Sequence, residues 1–387
     1  MRIAQEKNTC CGCSACAAVC PKQAITMKKD KEGFFYPHID EETCVHCHLC
    51  EQACLFLSGY QGLADGFVQQ YFAVQQKDLS ERRKSQSGGI GASLMRATLV
   101  HGGIVYGVIL DDAFCVHHTR VTALTDLDGL CGSKYVHSDL RNSYTQVKED
   151  LLAGQQVLFT GTACQTAGLR NFLHVAHVPE THLLTMDLVC HGGPSPEIFA
   201  ACRQEILRRH PGKMESIDFR NKRRFGWHSH ELTAVIDGKE VHENAYTNLF
   251  YSHLILRPSC YHCPMTNLNR SSDITVCDCW GIERVLPDFD DNQGTSLVML
   301  NSTKGRQAFA MVKDELNLHD IAIEDVLQPQ MQYPNPCPKN RDAFWKDYQQ
   351  KGIAYVIAKY VPGNHGFWWH VRKTLRPVKR WLKQVIQ

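Results

Sequence analysis

Nine of the nineteen cysteines fall within the first 54 residues, and their spacing constrains the chain more than any other feature. The first run is Cys10-Cys11-Gly12-Cys13-Ser14-Ala15-Cys16-Ala17-Ala18-Val19-Cys20-Pro21. The second is Cys44-Val45-His46-Cys47-His48-Leu49-Cys50-Glu51-Gln52-Ala53-Cys54. Both place cysteines at intervals of three, three and four, a pattern that ligates 4Fe–4S clusters. A four-iron cube needs thiolates from several directions. Three closely spaced cysteines on a tight loop cap three corners, and the fourth crosses to the other cluster in two-cluster proteins. The expected ligand sets are therefore Cys10, Cys13, Cys16 and Cys54 for one cluster, and Cys20, Cys44, Cys47 and Cys50 for the other. Cys11 is left over. Zinc or structural thiols are the competing reading, but zinc sites usually pair two cysteines with two distant ligands rather than crowding four into one short run. Leu55 stands where a proline often follows such a run.

The rest of the composition is that of a globular chain. At 387 residues, 43% hydrophobic and 21% charged, it has room for two or three domains. No apolar run approaches the roughly 20 residues of a membrane span, and Met1–Lys7 lacks the apolar core of a signal peptide. Nineteen cysteines without an export signal indicate metal ligation in a reducing, cytoplasmic compartment rather than disulfides. The formal charge of +2 overstates the positive side, because each bound 4Fe–4S site adds about two negative charges. Three such sites would bring the protein to about −4, which gives no support to nucleic-acid binding.

Between the cysteine runs, Ala24–Met27 and Phe34–Pro37 read as short strands around the turn Lys31-Glu32-Gly33, an α+β module stabilised largely by its clusters. Residues 55–70 read as a connector. Beyond it, apolar runs alternate with helical stretches: Tyr71–Val74 as a strand, Ser85–Gly89 as a loop, a helix over about 90–101, and Gly103–Leu110 as a buried strand. Val157–Thr160 follows as a strand, Gly161–Gln165 as a loop, a helix to about Leu173, and the strand Leu183–Cys190. This order predicts an α/β domain with a mixed sheet. Strands near 215–220 and 231–236, a helix near 245–256 and a helical tail from about Ala354 complete it. The predicted division is 1–58, 70–212, 213–345 and 346–387.

Four further cysteines occupy predicted loops: Cys164, Cys190, and the pair Cys260 and Cys263. Spacing alone leaves their role open. A lone cysteine after a strand is commonly a small core hydrophobe, and one Cys-x-x-Cys is compatible with zinc, redox chemistry or chance.

A set of segments carries a resemblance to a known family. These are Lys84-Ser85-Gln86-Ser87-Gly88-Gly89-Ile90, Gly132-Ser133-Lys134-Tyr135-Val136 and Gly161-Thr162-Ala163-Cys164-Gln165-Thr166-Ala167-Gly168-Leu169. Asp187-Leu188-Val189-Cys190-His191-Gly192, Cys260-Tyr261-His262-Cys263-Pro264 and Ser272–Gly281 continue it. Together they resemble the family of coenzyme F420 hydrogenase/dehydrogenase beta subunits, in its form with an N-terminal double ferredoxin. The resemblance implies an iron–sulfur flavoprotein: the ferredoxin module, then an α/β flavin-binding domain. It implies that Cys164, Cys190, Cys260 and Cys263 hold a third 4Fe–4S cluster, and that FAD lies against Ser87, Gly88 and Gly89, against Ser133, Lys134 and Tyr135, and near Gly161 and Thr162. Cys277 and Cys279 fall outside the matched ligand positions.

The flavin expectation also has a physical side. A two-glycine loop opening a helix offers backbone N–H groups to a pyrophosphate, and Lys134 beside the flavin's N1–C2 edge would stabilise its reduced anion. The plainer alternative makes Ser85–Gly89 a turn and Lys134 a solvated side chain, since no Gly-x-Gly-x-x-Gly follows a strand.

Three features stand outside this scheme. Asp218–Arg224 with Phe225-Gly226-Trp227-His228 is a basic–aromatic cluster, either a solvated loop or a binder of an anionic substrate or partner ferredoxin. His191 is either structural or a proton carrier. The tail His365–Lys383 combines Lys and Arg with Trp and no acid, either packing on the protein or touching an anionic membrane surface peripherally. The expected function is electron transfer from ferredoxin, or from a deazaflavin such as coenzyme F420, through the clusters to FAD and a small organic substrate. The alternatives are reversed flow, a non-catalytic electron-transfer subunit serving a separate catalytic partner, and a zinc-organised scaffold.

Overall fold

The structure, a computed structural model, describes residues 3–63 and 66–361. The basic tail 365–387 lies outside the described residues.

The N-terminal module is built on a hairpin of β1 (Ile25–Lys29) and β2 (Phe35–Ile39), antiparallel from Ile25 opposite Ile39 to Lys29 opposite Phe35. Asp30 sets the turn, its Oδ1 accepting from the N–H groups of Glu32 at 2.9 Å and Phe34 at 3.0 Å. Both predicted strands are present, shifted and lengthened by a residue or two. The two cysteine runs adopt one backbone twice. Gly12 and His46 are left-handed at φ 70° and 53°, Ser14 and His48 at 60° and 61°. A one-turn helix follows each, Ala15–Ala18 and Leu49–Gln52. Three of those four residues have a Cβ, which strains a left-handed backbone. The common demand is to turn three thiols toward one centre.

The remainder contributes β3 (Gln70–Gln76), β4 (Ile104–Leu110), β5 (Val116–Val121), β6 (Val157–Thr162), β7 (Leu183–Leu188), β8 (Met214–Asp218), β9 (Thr233–Ile236), β10 (Lys239–His242), β11 (Ile274–Asp278), β12 (Ser296–Leu300) and β13 (Leu316–Asp320). Eight of them form one sheet in the order β13-β3-β12-β11-β7-β6-β4-β5, and β8–β10 form a small antiparallel sheet. The strands β4, β6, β7 and β11 run parallel, with antiparallel strands on both flanks. This is the expected mixed α/β sheet. Segments 70–212 and 213–345 both feed it, because β11, β12 and β13 come from the second. The helix Ile90–Val100 covers one face through Leu94 and Leu99. The helix Ala163–Val175 covers the other through Leu169, Phe172 and Leu173.

Several local expectations are corrected. Gly161–Gln165 is not a loop, because β6 continues to Thr162 and the helix starts at Ala163. The cause is a capping box: Thr162 and Gln165 satisfy each other's backbone N–H groups. The strand from Leu183 ends at Leu188 and the helix from Ala245 at Tyr251. The C-terminal helix begins at Arg341, well before Ala354, and is broken at Gly352.

The module shares a core with the sheet. Cys11, Cys13, Ala15, Ala53 and Leu55 are buried in the same cluster as Leu169 and Phe172. A second anchor lies at the hairpin turn. Arg341 Nη1 meets Glu32 Oε1 at 3.1 Å and Nη2 contacts Oε2, while Nη2 also donates to the Leu256 carbonyl at 3.0 Å. Ser195 Oγ donates to the Glu32 carbonyl at 2.5 Å. Removing one partner of a buried pair leaves an uncompensated charge. Arg341→Met is therefore expected to cost about 3 kcal/mol in a denaturant titration, and the double variant with Glu32→Gln should recover part of it.

Candidate functional site

Cys20, Cys44, Cys47 and Cys50 line one small cavity together with Pro21 and Ile25. The Cys20 sulfur accepts from the Ala24 N–H at 3.3 Å. Cys16 has Cys10, Cys54 and then Cys50 as its thiol neighbours, and Cys13 and Cys10 both lie beside Cys11. Cys20 thus lies with the second run, and Cys54 with Cys10 and Cys16, the crossing over expected of the fourth cysteine of each run. Burial pushes the Cys50 thiol up to about 11 and that of Cys16 far above its usual range. The thiolate is the form that binds metal, and bound iron would supply the positive charge that deprotonates these groups. The two sets differ in position. Cys47 and Val45 are exposed, whereas Cys13 is buried against the sheet domain.

A second gathering of thiols forms where the strands end. Cys164 sits in the first turn of the helix Ala163–Val175, with its sulfur 3.2 Å from Thr162 Oγ1. Cys190 follows β7. Cys260 lies in the 3-10 turn Pro258–His262, and Cys263 follows it. Cys190 has Cys260, Cys164 and Cys263 as charge neighbours, behind burial as the main influence raising its thiol. Two of the sulfurs accept backbone bonds, Cys190 from Gly192 and Cys260 from Gly193, both at 3.3 Å. The loops are zipped together by Ser195 N–H to the Ile255 carbonyl at 2.9 Å and Arg257 N–H to the Gly193 carbonyl at 2.9 Å. Beneath them Arg270 pairs with Asp187 at 2.8 Å and donates to the Met265 carbonyl at 2.9 Å. All four cysteines assigned from the resemblance therefore meet in space.

Cys11, left over in the sequence, stands between the two gatherings, facing Cys13 on one side and Cys164 on the other. Only its spacing beside Cys10 marked it, so nothing local could have placed it there. The junction is closed by Arg257, whose Nε donates to the Cys10 carbonyl at 2.6 Å and whose Nη2 donates to the Phe35 carbonyl at 2.8 Å. Its guanidinium lies 4.2 Å from the Tyr36 ring centroid. Arg257 Nη1 is buried without a hydrogen-bond partner in the protein, and Nη2 lies 3.4 Å from the Cys10 sulfur. A negatively charged iron–thiolate group at Cys10 would answer that cation. His137 adds Nε2 to the Cys11 carbonyl at 3.0 Å and is kept neutral, pushed down to about 3 by burial.

The four strand-end cysteines and Cys11 form one wall of a cavity of about 650 Å³. Of the residues assigned to FAD, Ser87, Gly89, Ser133, Lys134, Tyr135, Gly161 and Thr162 line it and Gly88 does not. The Gly88 N–H is taken by Ser296 Oγ at 2.8 Å, and Ser87 Oγ donates to the Thr295 carbonyl at 2.8 Å. Gly88 is glycine because the loop crosses the sheet end so closely that a Cβ would lie 2.1 Å from the Val74 carbonyl oxygen. Lys134 is half-buried rather than freely solvated. Its ammonium donates to the carbonyls of Gly129 and Cys131, both at 2.8 Å, and burial lowers it to about 8. Cys277 lines the same cavity and Cys279 is buried in apolar packing. His191 shares a proton position with His253 (Nε2 to Nε2, 2.9 Å) and is pushed down to about 4 by burial, so it is neutral at pH 7. The basic–aromatic cluster is only partly a solvated loop: Arg220, Lys222 and Trp227 are buried, and Arg220 pairs with Asp278 at 2.6 Å.

A two-run cysteine module seated on a mixed α/β sheet defines an iron–sulfur electron-transfer protein. Residues 9–56 match the 4Fe–4S dicluster domain, and residues 154–325 match the family described as the C terminus of the beta subunit of coenzyme F420 hydrogenase/dehydrogenase. Residues 154–325 thus belong to the family of coenzyme F420 hydrogenase/dehydrogenase beta subunits, in a chain that also carries an N-terminal 4Fe–4S dicluster domain. It is 24% identical over 194 residues to the F subunit of F(420)H(2) dehydrogenase from Methanosarcina mazei, covering 48% of this chain and 54% of that protein. It thus spans about half the length of that relative. It is 35% identical over 54 residues to an uncharacterized ferredoxin of Methanocaldococcus jannaschii, covering 14% of this chain and 69% of that one. A solved chain of the F420-reducing NiFe hydrogenase complex from Methanosarcina barkeri aligns at TM-score 0.46 with 18% identity, covering 75% of this chain and 90% of that one.

The seating can be tested at Gly168, where a Cβ would lie 2.7 Å from the Cys13 Cβ and 2.9 Å from its sulfur. Gly168→Ala should disturb the Cys10 set while leaving the exposed Cys44 set intact. Electron paramagnetic resonance of the reduced protein should show one altered and one unaltered cluster signal.

Proposed function

We propose that this chain is an iron–sulfur flavoprotein oxidoreductase, passing electrons between ferredoxin, or a deazaflavin such as coenzyme F420, and a small organic substrate through three 4Fe–4S clusters and FAD. The observation that carries the reading is the convergence of Cys164, Cys190, Cys260 and Cys263, from three separate segments, on one wall of the 650 Å³ cavity. Thiols that serve only as core hydrophobes have no reason to meet there or to accept backbone N–H bonds. Cys202, buried in apolar packing, shows the contrast.

In this reading the exposed Cys44 loop faces the external carrier. Cys11, beside both Cys13 and Cys164, itself lines the cavity and so joins the module to it. Flavin, when bound, supplies two-electron chemistry from one-electron carriers. The chain's own part is to hold it: Gly89 and Ser133 edge the cavity beside Lys134, and Tyr135, stacked on Phe250 at 5.1 Å, stiffens the far wall. A second reading, a non-catalytic subunit serving a separate catalytic partner, is favoured by the M. mazei relative, itself one subunit of a dehydrogenase.

Anaerobically purified protein should contain about twelve irons and one FAD. Cys190→Ala should lower the iron to about eight while both module clusters persist. Wild-type protein with about eight irons would sink the third cluster, and zinc in place of iron would overturn the scheme. Reoxidation of the reduced, isolated protein by candidate small molecules separates enzyme from subunit.

A further inference from the structure

We infer that a basic recess beside the main cavity is a binding site for the phosphate groups of a small-molecule ligand. The recess has a volume of about 360 Å³ and is walled by the loops around Arg83–Gln86, Cys131–Lys134 and Ser216–Arg223. It shares Ser85, Gln86 and Cys131–Lys134 with the 650 Å³ cavity, so one ligand can reach from the thiol wall into the recess.

Its charge is out of balance. Six lining residues are Lys or Arg and two are Asp. Arg220 is matched by Asp278 at 2.6 Å, and Lys84 by Glu81 at 3.2 Å and Asp128 at 3.4 Å. Of the other four, only Arg223 has a carboxylate partner among the described residues. Lys222 is 4% exposed, and its ammonium donates to two carbonyls, of Arg82 at 2.7 Å and Ser87 at 2.9 Å. Lys134 likewise has only carbonyls. Arg83 donates to the Gln293 side-chain oxygen at 3.1 Å, and Arg223 stands 3.9 Å from Asp218.

Carbonyls satisfy the donors of a buried ammonium but leave its charge. Burial accordingly pulls Lys222 down to about 7. Buried Lys222, half-buried Lys134 and exposed Arg83 converge on one recess with no carboxylate partner among the described residues, and Arg223 has only Asp218 at 3.9 Å. A polyanionic ligand supplies the missing charge, and Lys and Arg together are the residue types that bind phosphate oxygens. The phosphates have two possible sources, the pyrophosphate of the flavin or a separate phosphorylated substrate.

The test is calorimetric titration of the full-length protein with inorganic pyrophosphate at low ionic strength, where screening is weak. Wild type should bind at one site. Arg83→Gln combined with Arg223→Gln, both exposed and outside the core, should weaken binding at least about tenfold. Lys313→Gln, on a remote surface, should not. Lys222→Met should weaken it too, but the exposed pair decides the matter if that variant does not fold. No binding by wild type, or equal binding by the Arg83/Arg223 variant, overturns the inference. Repeating the titration with FAD-saturated protein separates the sources: surviving binding assigns the recess to a separate phosphorylated substrate, and competition assigns it to the flavin's own phosphates. The inference extends the flavin reading, but the pyrophosphate titration needs no flavin, so the two can fail independently.

Discussion

One guanidinium holds this architecture together. Arg257 is fully buried, among two carbonyls of the cysteine module, the face of Tyr36 and the sulfur of Cys10. It has no carboxylate within 4 Å among the described residues. A buried cation in that position is strongly destabilising unless something negative completes its surroundings. Iron–thiolate groups carry net negative charge, so metal bound at Cys10 would strengthen the seating of the module. Arg257 is also three residues from Cys260, and its own N–H fixes the Gly193 loop. The same residue therefore registers both thiol gatherings against each other.

The sheet explains why the cavity lies where it does. Parallel strands β6 and β7 deliver Cys164 and Cys190 at their C-terminal ends, the place where open α/β sheets habitually bind ligands. The antiparallel strands from the second half of the core then close the far side, with β11 bringing Cys277 and Asp278 to the same rim. Loops from both halves are needed before any wall is complete.

The fold was legible where periodicity or ligand spacing was strong. The eight cysteines of the module and the parallel strands β4, β6 and β7 declared themselves locally, whereas the equally buried β11 and β12 did not. The hairpin did declare itself, through its Lys31-Glu32-Gly33 turn. Short polar-edged strands such as β5, β10 and β13 did not, because half-exposed strands such as Leu316–Asp320 lack a continuous apolar run. The capping box at Thr162 and Gln165 is a sequence signal that reads as a loop until the reciprocal bonds are considered. At the site, the meeting of Cys164, Cys190, Cys260 and Cys263 depends on contacts spanning about a hundred residues, which spacing cannot encode. Cys11 and the burial of Lys134 and Lys222 were out of reach for the same reason: each is decided by what packs over it.

The contact between Cys13 and Gly168 has a kinetic meaning. A free ferredoxin must find its partner by diffusion and give up translational and rotational freedom at every encounter. If the cavity holds the acceptor proposed above, that search is completed once, during folding, and the effective concentration of donor at acceptor does not depend on how much of either the cell makes. Such a chain would be insensitive to dilution and to ionic strength at its internal step. It would remain sensitive to both at the exposed Cys44 loop, were that where a visiting carrier arrives.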